Sequence, residues 1–324
     1  MIMKKIFITG GAGFIGSHLT EHLISQGHQV TILDNLSTGR YENIAHLEGH
    51  DSLNLIIDTV FHEQLISDCV RSHDCVIHLA SAVGVKLIME RPVETIETIF
   101  GGTDIVLKNC SRFRKPVLIT STSEVYGKGI QVPFREEDDV VTGATSKHRW
   151  AYACSKSLDE FLALAHYRET RLPVSIVRLF NTVGPRQTGQ YGMVVPRFVQ
   201  AALNNEAITI HGSGEQSRCF GHVTDVVQAL TNVLFSPQCY GQVINIGNNE
   251  EVSINELAKR IISDTGSSSE LKYIPYSEVY GDGFEDMQRR VPCLEKAKKL
   301  IGYEPKLGLK DIIQDVAAEL KAAQ

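Results

Sequence analysis

The stretch Lys4-Lys5-Ile6-Phe7-Ile8-Thr9-Gly10-Gly11-Ala12-Gly13-Phe14-Ile15-Gly16-Ser17-His18-Leu19 leads from a short apolar segment through a glycine-rich turn into an amphipathic pattern. A strand, a glycine turn and a helix in this order are the context that a dinucleotide-binding fingerprint requires. In that fingerprint Gly10 permits the tight turn, Gly13 lets the backbone approach a pyrophosphate, and Gly16 lets the helix pack closely on the strand. The free N–H groups at the helix start then face the phosphates.

An acidic residue ends the next apolar segment. The segment Gln29 to Leu33 predicts a second strand, and Asp34 follows it, 18 residues after Gly16. A carboxylate at this point accepts hydrogen bonds from a ribose diol and repels a 2′-phosphate, so NAD is favoured over NADP.

Composition limits the function classes. The chain has 324 residues, of which 43% are hydrophobic and 22% charged, and its net charge of −6 gives no sign of nucleic-acid binding. The sequence has neither a membrane-length apolar run nor a pattern that predicts a signal peptide, so we expect no membrane partner. Its seven cysteines form no Cys-x-x-Cys pair, which favours reduced thiols and a cytoplasmic location.

Strand and helix patterns alternate through the first two-thirds of the chain. This alternation predicts the α/β class, with a Rossmann-type doubly wound parallel sheet. We expect a NAD-binding domain over residues 1–184, to which some later segments return, and a smaller substrate-binding lobe over residues 185–324. The predicted strands are Lys5–Ile8, Gln29–Leu33, Cys75–Leu79, Val117–Thr120, Val174–Leu179 and Val243–Ile246. The predicted helices are Phe14–Ser25, Pro92–Ser111, Ala151–Arg168, Pro196–Leu203, Ile254–Ile262 and Leu309–Leu320.

Residues suited to acid–base chemistry follow two of the predicted strands and lie on one predicted helix. Tyr152 and Lys156 are four residues apart and share a helix face. An ammonium group beside a phenol favours the phenolate, so we expect a lowered pKa for Tyr152. Tyr152 would then take a proton from a substrate hydroxyl while hydride leaves the same carbon, with Thr122 holding that hydroxyl.

The chain resembles the extended short-chain dehydrogenase/reductase family, which contains nucleotide-sugar epimerases, dehydratases and decarboxylases. The resemblance covers nearly the whole chain. It rests on Thr9 to Gly16, Asp34 to Gly39, His78 to Ser81, Tyr152 with Lys156, Phe180-Asn181, Gly184-Pro185-Arg186, and Asn245-Ile246-Gly247.

The resemblance and the fingerprint imply a bound NAD, a UDP-sugar substrate, a homodimer built on helices 92–111 and 151–168, and no metal. The expected NAD-binding residues are Gly10, Gly13, Phe14, Ile15, Gly16, Asp34, Asn35, Ser37, Gly39, Asp58, Thr59, Leu79, Ala80, Ser81, Tyr152 and Lys156. The resemblance implies that Asn181 and Arg218 contact the sugar nucleotide, with Arg218 on its diphosphate. One departure stands out, because Ile99 occupies a position at which family members often carry Asn.

The family shares oxidation at sugar C4 to a 4-keto sugar and diverges afterwards. Ser123 and Glu124 stand where simple 4-epimerases often have small residues, and an acid there suits chemistry at C5. The segments 149–152, 217–220 and 280–292 resemble the decarboxylase branch, in which the arginine matching Arg290 lies at the reacting end of the substrate. Arg186 is a further candidate, because its guanidinium suits bidentate pairing with a glucuronate carboxylate.

These features favour a UDP-glucuronate decarboxylase whose catalytic residues are Thr122, Ser123, Glu124, Tyr152 and Lys156. The alternatives that remain open are a UDP-glucose or UDP-glucuronate 4-epimerase, a 4,6-dehydratase, and a non-catalytic NAD-sensing protein.

Overall fold

The computed structural model describes residues 2–81, 91–129, 131–189, 193–280, 285 and 287–322. Part of the segment 280–292, on which the resemblance to the decarboxylase branch partly depends, lies outside the described residues.

Thirteen strands are found in the described part of the chain. They are β1 Lys5–Thr9, β2 Gln29–Asp34, β3 Leu53–Ile57, β4 Cys75–His78, β5 Val117–Thr122, β6 Val174–Leu179, β7 Thr182–Val183, β8 Ile208–His211, β9 Ser217–Cys219, β10 Gly221–His222, β11 Val243–Ile246, β12 Glu251–Ser253 and β13 Leu271–Ile274.

The helices of the same ranges are numbered in chain order. They are α1 Phe14–Ser25, α2 Glu63–Ser72, α3 Pro92–Phe113, α4 Trp150–Thr170, α5 Val194–Leu203, α6 Val223–Leu234, α7 Ile254–Thr265, α8 Tyr276–Tyr280, α9 Glu295–Ile301 and α10 Leu309–Ala322. A 3₁₀ turn at Ser123–Tyr126 directly follows β5.

Seven parallel strands form the central sheet, in the order β11-β6-β5-β4-β1-β2-β3. The direction of winding reverses between β1 and β4, where Thr9 pairs with Leu33 on one side and with His78 on the other. Such a reversal opens a crevice at the carboxyl ends of the strands, which is where doubly wound folds bind ligands. The predicted α/β class and doubly wound sheet are confirmed.

Apolar helix faces cover both sides of this sheet. One face carries α1, α6 and α9, whose buried residues include Leu23, Leu230 and Ala297. The other face carries α2, α3 and α4 and buries Val70 and Val106. Burial on both faces explains why the inner strands are continuous apolar runs rather than alternating ones.

A second group of elements after β6 packs around its own apolar cluster. Phe198 of α5, Ile210 of β8, Leu257 of α7 and Ile313 of α10 belong to that cluster. The strand β11 lies between these elements in sequence, yet it pairs with β6 in the central sheet. In the described ranges, no helix is both long enough and apolar enough to cross a bilayer.

Candidate active site

The glycine turn after β1 is too crowded for side chains. Gly10 has φ +76, and a Cβ there would lie 2.7 Å from the Ala80 backbone nitrogen. A Cβ at Gly16 would lie 2.1 Å from the Gly10 carbonyl oxygen, far inside van der Waals contact. Both glycines are therefore required by the close approach of β1, α1 and the end of β4.

The N-terminus of α1 leaves its first amide groups available. Its N-cap is Gly13, which offers no side-chain cap, and the first helical turn has no acidic residue. Because the first N–H groups of a helix have no partner within the helix, this end suits a pyrophosphate.

The carboxylate of Asp34 closes the same turn. Its Oδ2 accepts a hydrogen bond from the Ala12 N–H (3.0 Å), and its Oδ1 accepts one from the Leu36 N–H (2.9 Å). Burial raises the pKa of Asp34, while these backbone donors oppose that rise. A Cβ on Gly39 would lie 2.7 Å from Asp34 Oδ1, so Gly39 leaves room for the carboxylate.

A cavity of about 820 Å³ extends from this turn to the second group of elements. The sequence-predicted residues that line it are Gly10, Gly13, Phe14, Ile15, Gly16, Asp34, Asn35, Ser37, Asp58, Thr59, Leu79, Ala80, Ser81, Thr122, Glu124, Tyr152, Lys156, Asn181, Arg186, Arg218 and Arg290. Gly39 and Ser123 do not line it, and each contacts a residue that does, Asp34 and Arg290 respectively.

Tyr152 and Lys156 reach the cavity from α4, as their spacing predicts, but their electrostatics differ from our expectation. Burial, followed by the charge of Glu124, raises the pKa of Tyr152, and the Thr122 hydroxyl and Arg290 only partly offset this. The Lys156 ammonium has partners other than the phenol, because its Nζ donates to the Thr120 carbonyl oxygen (2.9 Å) and to Asp159 Oδ2 (3.3 Å). In the protein alone, the phenol is therefore kept protonated.

Glu124 lies between two arginines. Its Oε1 accepts a hydrogen bond from Arg290 Nη1 (2.6 Å), and its Oε2 lies 3.1 Å from Arg149 Nη2. Burial acts to raise the pKa of Glu124, but Arg290, Arg149 and Arg218 outweigh it, and the net shift is downward. Arg290 also donates from Nη2 to Ser123 Oγ (2.6 Å). Glu124 is thus an anion clamped beside Tyr152.

The remaining predicted substrate residues lie on other parts of the wall. Asn181 donates from Nδ2 to the Cys219 carbonyl oxygen (3.1 Å), and Arg218 donates from Nη1 to the Ser217 carbonyl oxygen (2.8 Å). The Arg186 guanidinium pairs with Glu21 of α1 (2.7 Å). Arg186 therefore faces α1, whereas Arg290 faces Tyr152 and Glu124.

Sequence reasoning gave Arg149 no role, although the structure places it in the clamp. Its side chain is only 6% exposed. The signal that could have identified it is an arginine three residues before the predicted acid–base tyrosine, in the segment Arg149-Trp150-Ala151-Tyr152. The described residues contain no group of three or more His, Cys, Asp or Glu side chains that could hold a metal ion.

Comparison with known proteins agrees with this geometry. A family profile described as GDP-mannose 4,6 dehydratase matches residues 7–316. The UDP-N-acetyl-alpha-D-glucosaminuronate decarboxylase of Bacillus cytotoxicus is 44% identical over 316 residues, which cover 96% of this chain and 97% of the relative. UDP-glucuronic acid decarboxylase 1 of Danio rerio is 36% identical over 322 residues, which cover 98% of this chain and 74% of the relative.

A solved structure adds a ligand-bound relative. The UDP-glucuronic acid 4-epimerase of Bacillus cereus, in complex with UDP-glucuronic acid and NAD, has a TM-score of 0.88 and 25% identity, covering 99% of this chain and 100% of that one. The fingerprint turn, the Tyr152–Lys156 helix and the match over residues 7–316 all lead to one assignment. The chain belongs to the GDP-mannose 4,6 dehydratase family, within the extended short-chain dehydrogenases/reductases that modify nucleotide sugars.

Proposed function

We propose that the protein is an NAD-dependent decarboxylase of a UDP-hexuronate, which oxidises sugar C4 and then releases the C5 carboxylate as CO₂. The observation that carries this proposal is the clamp of Glu124 by Arg290 and Arg149 beside Tyr152. The identities to nucleotide-sugar uronate decarboxylases support it over most of the chain.

The residues present fit a bound NAD. The crowded glycine turn and the uncapped start of α1 leave backbone N–H groups for its pyrophosphate, and Asp34 stands ready for a ribose. Once bound, NAD supplies the hydride acceptor for C4 and a positive charge near the phenol. That charge favours the phenolate of Tyr152, whose pKa burial alone raises.

Tyr152 is the group that removes the proton from the sugar O4. Thr122 supports this role, because its hydroxyl hydrogen-bonds the Tyr152 phenol and lowers its pKa. After transfer, the proton stays on the phenol, which then donates a hydrogen bond to the new C4 carbonyl. Lys156 supports the dyad from the buried side of α4.

Loss of CO₂ follows from the new carbonyl. The pair of electrons in the bond between C5 and the carboxylate moves toward the C4 oxygen, where the protonated Tyr152 and Thr122 stabilise the developing enolate. A proton then adds to C5, and the product is a 4-keto pentose. We assign the carboxylate contact to Arg290 rather than to Arg186, because Arg290 is close enough to lower the pKa of Tyr152 and Arg186 pairs with Glu21.

The state of Glu124 argues against a 4,6-dehydratase. Elimination of water needs a protonated acid to assist the leaving hydroxyl, and the two arginines keep Glu124 ionised. A 4-epimerase remains the second candidate, because the B. cereus enzyme named for that reaction has the same fold over its whole length.

The deciding experiment supplies NAD with UDP-glucuronate or with UDP-N-acetylglucosaminuronate and measures CO₂ release and product mass. From at least one of them, we expect the product mass to fall by CO₂ when hydride returns to C4, or by CO₂ and two hydrogen atoms when the 4-keto pentose is released. Conversion to the C4 epimer without CO₂ release would establish the epimerase instead. Tyr152→Phe is expected to abolish turnover while NAD still binds, and unchanged turnover would refute the acid–base assignment and reopen the possibility of a NAD-sensing protein.

We also propose a homodimer, formed through α3 and α4. Four large apolar side chains are exposed on these helices, namely Val93 (67%), Ile96 (44%), Leu158 (48%) and Phe161 (70%). A second copy would cover them, and Phe161→Asp should convert the dimer to a monomer in sedimentation analysis.

All seven cysteines are unpaired, and six are buried, which supports a cytoplasmic location.

A further inference from the structure

A fully buried carboxylate lies one helical turn beyond the proposed acid–base pair. Asp159 is 1% exposed, and its Oδ2 lies 3.3 Å from Lys156 Nζ. Lys156 is itself 3% exposed and donates to the Thr120 carbonyl oxygen at the end of β5. The ammonium is thus fixed from two sides, by α4 and by the strand that carries Thr122.

Asp159 is the carboxylate available to Lys156, because the two other carboxylates near the acid–base pair have cations of their own. Glu160 pairs with Arg178 (2.8 Å), and Glu124 pairs with Arg290 (2.6 Å). Both of these carboxylates are therefore already paired with arginines. Removing Asp159 would leave Lys156 without its compensating charge.

A chain of buried polar groups continues from Asp159 to the glycine turn. The Thr103 hydroxyl of α3 interacts with the Asp159 carboxylate and lies 3.2 Å from His78 Nε2. His78 Nδ1 lies 2.7 Å from the Thr9 hydroxyl, directly before Gly10. Burial, aided by Lys156, lowers the pKa of His78 to about 3, so this histidine is neutral and adds no second cation.

Burial of the Asp159 carboxylate at this point costs stability. Among the described residues, Asp159 Oδ1 has no hydrogen-bond partner at normal distance, although it is fully buried. A buried acceptor left without a hydrogen bond costs stability, so an apolar side chain would serve a purely structural role better. The cost indicates that the charge serves the site.

We propose that Asp159 is a positioning residue, which holds the Lys156 ammonium at the end of β5 and through it sets the basicity of Tyr152. The inference deepens the proposed function and rests on it for the role of Tyr152. The charged and titratable groups facing this cluster are Lys156 and Glu160 of α4, His78 of β4, Arg178 of β6, Glu124 of the 3₁₀ turn, and Arg290.

The test compares Asp159→Asn with Asp68→Asn, which removes a carboxylate from an ion pair of the same i, i+3 spacing that is exposed on α2. The first readout is the crystal structure of each dinucleotide-free variant. We expect Lys156 Nζ to leave the Thr120 carbonyl oxygen only in Asp159→Asn. An unmoved Lys156 would overturn the proposal, and this readout needs no substrate, so it stands apart from failure of the proposed function.

The second readout is the pH profile of hydride transfer from a UDP-hexuronate to bound NAD. Removal of Asp159 takes away a negative charge that raises the pKa of Tyr152 and also displaces the ammonium that opposes this rise, so the acidic limb should shift from its wild-type pH. The maximal rate should also fall about 10- to 100-fold, because Lys156 is misplaced. A variant that merely folds less well would keep the wild-type limb, and that result would also overturn the proposal.

A measurement on the wild-type protein covers the case in which Asp159→Asn does not fold. Carboxyl ¹³C resonances of labelled aspartate report the ionisation of Asp159 directly. The proposed ion pair requires an ionised carboxylate at pH 7. A resonance that remains in its protonated position through neutral pH would overturn the proposal.

Discussion

Arg290 donates a hydrogen bond from Nη1 to Glu124 Oε1 over 2.6 Å, which joins two residues that lie 166 positions apart in the chain. The contact brings a segment near the C-terminus onto the end of β5, beside the helix that carries Tyr152. Because Arg149 binds the other oxygen of the same carboxylate, Glu124 is held as an anion from both sides.

Replacing the Glu124 carboxylate should slow CO₂ release without preventing oxidation at C4. In Glu124→Gln, we expect CO₂ release to slow about 10²- to 10³-fold, because Arg290 and Ser123 lose the group that orients them. Oxidation at C4 should persist, and its acidic limb should move to lower pH, because the charge of Glu124 raises the pKa of Tyr152. Single-turnover measurements of nicotinamide reduction and of CO₂ release follow the two steps separately.

The matched control is Glu137→Gln, because Glu137 pairs with Lys296 and its side chain is 73% exposed. That variant should keep wild-type rates of both steps, since exposed ion pairs contribute little. Wild-type CO₂ release in Glu124→Gln would show that the clamp has no part in decarboxylation.

Much of the fold could be predicted from the sequence, because the inner elements have strong periodic patterns. The helix Phe14–Ser25 was predicted with its observed bounds, and the strands before Gly10 and Asp34 were found where the fingerprint requires them. The strand β3 was missed. It is an edge strand whose residues are only partly buried, so its sequence Leu53-Asn54-Leu55-Ile56-Ile57 has a weak signal.

The sequence predicted which residues line the site better than it predicted the contacts that these residues make. The spacing of Tyr152 and Lys156 placed both on one helix face, but it could not show that Lys156 pairs with Asp159 and the β5 backbone. In the same way, Arg186 and Arg290 were equivalent as guanidinium groups in the sequence. Only the folded chain separates an arginine that faces Glu21 from one that faces Glu124. The partner of each arginine depends on contacts between residues far apart in the chain, and these contacts cannot be read from a single sequence.

His78 should make stability depend on pH. Burial lowers its pKa to about 3 in the folded protein, against 6.5 in the unfolded chain. The neutral form is thus favoured by folding, so this stabilisation is complete above pH 6.5 and is lost as pH falls from 6.5 toward 3. Between pH 7.5 and 5.5 the unfolding free energy should fall by about 1.4 kcal/mol through this group.

Urea denaturation at the two pH values measures that loss. His78→Asn should be less stable than the wild type at pH 7.5, yet it should show a smaller loss on acidification. The exposed residue His50 provides the comparison, because His50→Gln should retain the full wild-type loss. An equal loss in wild type and His78→Asn would mean that His78 is not the buried neutral group that the structure shows.

NAD binding should weaken when a single methyl group is added to α1 at Gly16. In Gly16→Ala the new Cβ would lie 2.1 Å from the Gly10 carbonyl oxygen and 2.8 Å from Gly11 Cα, both of which are backbone atoms. The turn has to open, so NAD affinity should fall at least about tenfold and stability should fall by about 1–3 kcal/mol. Calorimetric titration with NAD and a denaturation curve measure the two effects.

Gly308→Ala tests whether any added methyl group has this effect. A Cβ at Gly308 would lie 3.6 Å from Glu250 Oε2, which is ordinary contact, so NAD affinity should stay at the wild-type value. If Gly16→Ala binds NAD as tightly as the wild type does, the fingerprint turn is not the pyrophosphate site.

Variants of Arg290 and Arg186, the two candidates for binding the substrate carboxylate, should differ in their rates of CO₂ release. Arg290 uses two nitrogens at once, donating to Glu124 and to Ser123, and a lysine cannot reproduce that fork. Arg290→Lys should therefore lose CO₂ release about 10²-fold, while NAD affinity stays unchanged. Arg186→Lys keeps a cation beside Glu21, so its CO₂ release should stay close to that of the wild type. Steady-state rates with a UDP-hexuronate decide between them, and the reverse order of effects would return the substrate carboxylate to Arg186.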